Sequence, residues 1–133
     1  MKFKIIVLFS LFVSFSACKT QKQTIVNPRE NLVSAISDAI QLLENKNYQS
    51  FIEKYAMPED LEKILKRESM DELVESFSDG KAEKVLNALK LASELEPKYD
   101  ESGNKAIFSK GDVGGMSKDM VFRKVDKYWY IAN

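Results

Sequence analysis

Histidine is absent from all 133 residues. Its absence removes the side chain that most readily exchanges a proton near neutral pH and the commonest transition-metal ligand. A Ser–His triad, a Cys–His pair and a His-based zinc site are therefore excluded. Cysteine occurs once, at position 18, so no disulfide can form within the chain. Neither sign of charge dominates: 20 Lys and Arg balance 20 Asp and Glu. A domain with evenly mixed charge lacks the basic footprint that nucleic-acid binding requires. The longest apolar run, from Ile5 to Phe15, is too short to cross a hydrocarbon core of ~30 Å as a helix. Proline is confined to positions 28, 58 and 97, where it punctuates the pattern rather than interrupting a periodic stretch.

What is present begins with that apolar run. Met1-Lys2-Phe3-Lys4 gives it a cationic start, and Ser16-Ala17 end it on small residues before Cys18. This is the layout of a secretory signal peptide over residues 1–17. Phe15-Ser16-Ala17-Cys18 resembles the lipobox of bacterial lipoproteins, in which the Cys after small residues is acylated and becomes the mature N-terminus. Acylation would also remove the hazard of a lone thiol in an oxidising compartment. The resemblance implies several acyl chains on Cys18, since one chain holds a protein at a membrane only marginally. Lys19 stands where many inner-membrane lipoproteins carry Asp, so the resemblance points to a cell-envelope protein at an outer membrane, facing the periplasm. Residues 18–27 read as a polar tether, and Lys19 to Gln23 lacks the acidic cluster that some bacteria use for surface export. Loss of Lys2 and Lys4 with the leader leaves 18 basic and 20 acidic residues.

Residues 28–133 suffice for one domain with one core. Asn27-Pro28-Arg29-Glu30 predicts a helix start with Asn27 as cap. Leu32, Val33, Ile36, Ala39, Ile40 and Leu43 follow at helical spacing. The helix should end at Asn45-Lys46-Asn47, with an Asn in the left-handed conformation. Tyr48, Phe51, Ile52 and Tyr55 form a second, shorter stripe. Pro58 starts a third helix with Leu61, Ile64 and Leu65 inward. Ser69-Met70-Asp71-Glu72 predicts a reciprocal capping box, and Asp79-Gly80 a break. Ala82 to Leu95 predicts a longer helix stopped at Pro97. Its charged outer faces read as solvated surface with i,i+4 pairs.

Beyond Pro97 the period changes to alternation. Residues 98–100 and 105–109 read as strands about a Glu101-Ser102-Gly103-Asn104 turn, and 111–117 as a glycine-rich connection. Residues 120–125 and 128–132 form the strongest strand pair. A two-residue turn at Asp126-Lys127 fixes its register: Val125 opposes Tyr128, Lys124 opposes Trp129, Arg123 opposes Tyr130 and Phe122 opposes Ile131. Met120, Phe122, Trp129 and Ile131 then share the face that should floor the helices. Val121, Arg123, Val125, Tyr128 and Tyr130 share the other, where Arg123 is in reach of stacking on Tyr130. The fold class that follows is α+β, with N-terminal helices packed on a C-terminal antiparallel sheet of about four strands.

The helix–turn–helix around Leu43-Glu44-Asn45-Lys46-Asn47-Tyr48-Gln49-Ser50-Phe51, together with the closing hairpin Phe122 to Ile131, resembles the nuclear transport factor 2-like cone fold. Small lipoproteins of that superfamily commonly end on a strand, a turn, a Trp and a strand. The resemblance implies a cone that can enclose a small-molecule pocket.

No motif names a reaction. Gly111-Asp112-Val113-Gly114-Gly115-Met116-Ser117 lacks the Gly-Lys-Ser/Thr ending of a phosphate loop. Asp100, Glu101 and Asn104 miss the calcium-loop spacing. Glu59, Asp60 and Glu62 lie on a charged helix face, where carboxylates are solvent-exposed rather than set in a pocket as acid and base. The expectation is a membrane-anchored, non-enzymatic binding or interaction domain without cofactor or metal, its membrane partner met through acylated Cys18. A small-molecule-binding cone, with the option of divergent enzymatic descent, is the alternative. Tyr99, Arg123, Tyr128 and Tyr130 add polar ends to apolar bodies and are the candidate face for a protein partner or a small apolar ligand.

Overall fold

The computed structural model describes residues 26–132. The readings of the leader, of Cys18 and of the tether as far as residue 25 lie outside the described residues. The predicted first helix divides in two. Asn27 caps a single 3-10 turn, Pro28–Glu30, by accepting from the Arg29 N–H at 3.0 Å. Asn31 is extended and caps helix α1, Leu32–Glu44, by accepting from the Ser34 N–H at 3.2 Å. Two Asn caps four residues apart each terminate the preceding conformation, which is why one continuous helix from Pro28 does not form. Helix α1 buries Leu32, Ala35, Ile36, Ala39 and Leu43 but leaves Val33 75% exposed. The left-handed residue at its end is Lys46 (φ 58°), not a flanking Asn.

Helix α2, Tyr48–Tyr55, returns against α1 and buries Phe51, Ile52 and Tyr55. Helices α3, Pro58–Leu65, and α4, Met70–Ser78, bury no residue fully. Leu61 and Ile64 are half-buried, while Leu65, expected inward, is exposed. The capping box of α4 is one-sided: the Glu72 N–H donates to Ser69 Oγ at 3.2 Å, and no return bond from the Glu72 carboxylate is present among the described residues. Phe77 of α4 stacks on Phe51 (centroids 5.4 Å apart, 14° between planes) and meets Tyr48 edge-on at 5.9 Å. Gly80 provides the positive φ (92°) that turns the chain into α5, Lys81–Ala92. The helix ends there rather than running to Pro97, and Leu95 is 41% exposed.

Four antiparallel strands follow as a meander in the order β1-β2-β3-β4: Lys98–Tyr99, Lys105–Phe108, Met120–Val125 and Tyr128–Ile131. The β3–β4 register is the one counted outward from Asp126-Lys127, all four pairs included, with Asp126 at φ 57°. Met120, Phe122 and Trp129 are buried beneath the helices, and Ile131 is half-buried. The fold is α+β, helices first and sheet last. The outer edge of β4 is covered by the 3-10 turn and by a parallel bridge from Ala56 to Ile131. This covering matters because an open edge offers unpaired backbone groups to other chains. Among the described residues no helix is long and apolar enough to cross a membrane.

Candidate functional site

Between α2, α3, α4 and the end of the sheet the core leaves a cavity of about 240 Å³. Helix α2 lines it with Ile52 and Tyr55, α3 with Leu61 and Ile64, and α4 with Leu73 and Phe77; Met120 and Ile131 form its floor. The cavity follows from the shape of α3 and α4. Each is short and amphipathic and sinks no side chain to full burial, and α4 packs on α2. The space opens to solvent, so it is a pocket rather than a sealed void. It exceeds the ~150 Å³ apolar cavity that accepts benzene and falls just below the ~300 Å³ at which drug-sized sites begin.

The chemistry of the lining is simple. Asp60 is its one ionisable group besides Tyr55, and Tyr55 turns its hydroxyl away. That hydroxyl donates to Asp38 Oδ2 at 2.5 Å, and the Lys54 ammonium donates to the same oxygen at 2.6 Å. Burial, and then the bond to the Asp38 carboxylate, hold the Tyr55 phenol well above its usual pKa. Tyr55 is therefore a neutral donor committed to Asp38. Among the described residues no buried side-chain polar atom lacks a partner. A space lined this way can exclude water around an apolar guest.

The second feature is the sheet face turned away from the helices. Arg123 stands opposite Tyr130 on β4 and opposite Lys105 on β2. Tyr128 is on the same face. The cation over Tyr130 is Arg29 rather than Arg123: its guanidinium lies 4.5 Å from the Tyr128 ring centre and 5.6 Å from that of Tyr130. Arg29 is held there by donating to the Lys54 carbonyl at 3.1 Å and to Asn27 Oδ1 at 3.3 Å. Lys127 approaches Tyr128 from the turn, at 5.6 Å. Beside Arg123 a cleft of about 320 Å³ opens between the sheet and α3, bordered by Lys105, Glu59 and Asp60.

The structure thus brings together three of the four residues singled out from the sequence. Arg123, Tyr128 and Tyr130 share one face, whereas Tyr99 does not. Tyr99 pairs with Ala106, which pairs with Phe122, so its side chain is on the helix side. Its ring is 6.4 Å from that of Trp129, and it borders a separate apolar groove of about 300 Å³ between α1 and the end of α5. Sequence reasoning missed Arg29, Lys105 and the Asp38–Lys54–Tyr55 cluster. Arg29 sits about a hundred positions from the tyrosines it covers, and no local pattern announces such a pair. The partnership of Lys105 with Arg123 would have needed the β2–β3 register, which a glycine-rich connection does not fix. Compared with models of protein families, with curated proteins and with solved structures, the chain matches none.

Proposed function

We propose that the chain is a bacterial lipoprotein, acylated on Cys18 and held at an envelope membrane, whose domain binds a small apolar molecule and catalyses nothing. The observation that carries the binding reading is the cavity beneath α3 and α4, with its apolar lining and a phenol already committed elsewhere. A site of that kind gains affinity from contact and water exclusion. The nuclear transport factor 2-like likeness enters the proposal on the same ground, since helices laid over one face of an antiparallel sheet around a cavity are what such a cone supplies. The lipobox likeness supports the anchor and, with Lys19 after the Cys, an outer-membrane location facing the periplasm.

Native mass spectrometry of the protein isolated gently from an envelope fraction tests the ligand. The expected result is a reproducible small-molecule mass that is lost in Ile64→Trp, a substitution that fills the cavity while keeping or raising thermal stability. A bare mass in the wild-type protein sinks the reading. The anchor is tested separately by the intact mass of the mature N-terminal peptide, which should carry acyl chains on Cys18, and by release of Cys18→Ser from the membrane fraction. A second reading, recognition of a protein through Arg123, Tyr128 and Tyr130, rests on the polar and aromatic face that the helices leave uncovered.

A further inference from the structure

Three observations converge on the outer face of the sheet. Lys105 and Arg123 are direct cross-strand neighbours, and like charges directly opposite each other destabilise a sheet. Among the described residues neither forms an ion pair. The fold does not use this juxtaposition, but an anion would relieve it. Across the cleft from these two cations stand Glu59 and Asp60 of α3, which also have no ion-pair partner among the described residues. The cleft therefore offers a pair of positive and a pair of negative groups on opposite sides, the pattern complementary to a zwitterion. Around it lie Tyr128, Tyr130, Val121 and Lys127, tyrosines with aliphatic and cationic neighbours. This is the mixture that settles at the headgroup level of a bilayer.

The third observation is the route of the chain. Arg29 lies over Tyr128 and Tyr130, so the segment leading back towards Cys18 departs from the margin of this same face. Residues 19–26 separate Cys18 from Asn27, and eight extended residues reach at most about 30 Å. An anchor of that length, leaving from that margin, brings this side of the domain nearest the membrane.

We infer that the outer face of the sheet is a membrane-docking surface, and that its cleft accepts a lipid headgroup carrying a phosphate and a primary ammonium. Lys105 and Arg123 take the phosphate; Glu59 and Asp60 take the ammonium. Asp126, in the β3–β4 turn, is a further carboxylate at the margin of the face. The inference rests on the anchor proposed above for its orientation, but not on the ligand in the cavity.

The test uses the acylated mature protein in native envelopes, in vesicles of phosphatidylethanolamine with phosphatidylcholine, in vesicles of phosphatidylcholine alone, and in detergent micelles. A soluble amine-labelling reagent is followed site by site. Labelling of Lys105 and Lys127 should fall severalfold in the phosphatidylethanolamine vesicles relative to micelles, while Lys84 and Lys90 on α5 stay unchanged. The protection of Lys105 should weaken in phosphatidylcholine and disappear in Arg123→Glu, a change at an exposed position. Equal labelling of Lys105 and Lys127 in vesicles and micelles overturns the inference. So does equal protection in the two lipids, which removes the headgroup assignment. Protection seen only in native envelopes assigns the face to a protein and likewise overturns it. The mass of the Cys18 peptide is read on the same sample. If it lacks acyl chains the anchor proposal fails by itself, and the same labelling with vesicles added to the unanchored protein still decides the docking.

Discussion

Tyr55 is completely buried, and its hydroxyl is one of two donors to a single Asp38 oxygen, the Lys54 ammonium being the other. The sequence showed Tyr55 only as the last position of an apolar stripe; its polar end was invisible because Asp38 is a helix away. The phenol is raised above the ordinary 10.0, by burial first and by Asp38 second. The unfolded chain releases this proton near pH 10 while the folded chain retains it. Stability from this group is therefore intact below pH 10 and declines as the pH rises above it. Phenolate absorbance followed through an alkaline titration should show Tyr55 ionising only with the unfolding transition. Two substitutions should differ in cost. Tyr55→Phe deletes the hydroxyl and leaves Asp38 its Lys54 partner, at a cost of roughly 1.5 kcal/mol for one bond to a charged group. Asp38→Ala strands a buried hydroxyl and releases Lys54, at roughly 3 kcal/mol. Urea unfolding of both variants measures the difference, and the reverse order would show that the Lys54–Asp38 pair does not matter.

Among the elements, those set by short-range rules were legible and those set by competition between neighbours were not. The β3–β4 hairpin was read correctly because a two-residue turn leaves one register, and one residue of slip would have put Phe122 and Trp129 into water. The start of α1 was misplaced because Asn27 and Asn31 both cap, and the sequence does not rank them. The structure does: Asn31 opens a thirteen-residue helix, Asn27 a three-residue turn. Asn31→Ala should accordingly destabilise by about 1 kcal/mol in chemical unfolding. Glu72→Gln, by contrast, should change stability by no more than a few tenths of a kcal/mol, since the carboxylate makes no return bond and contributes only its charge near the N-terminus of α4. A loss from Glu72→Gln matching that of Ser69→Ala would restore the reciprocal box.

For the whole molecule, the order of layers and the placing of Arg123, Tyr128 and Tyr130 came from the alternation of the last strands. The cavity did not, because it depends on how α3 and α4 are set against α2 and the sheet, which no periodicity encodes. Tyr99 went to the opposite face because β1 is only two residues long and the number of residues in the loop before β2 decides its side.

The seam between the beginning and the end of the domain has a kinetic consequence. Most pairings here are local: successive helices, then a meander. The Arg29–Tyr128 and Ala56–Ile131 contacts instead join segments whose loop must close across most of the chain, at an entropic cost that local contacts do not bear. They are expected to form after the folding barrier and to open before the rest. Arg29→Ala should then leave the refolding rate nearly unchanged and accelerate unfolding by roughly tenfold, the equivalent of about 1.4 kcal/mol. Stopped-flow traces in which refolding slows instead would place the seam in the nucleus. If the seam does form late, the residue where the tether joins the domain also sets how long the native state survives.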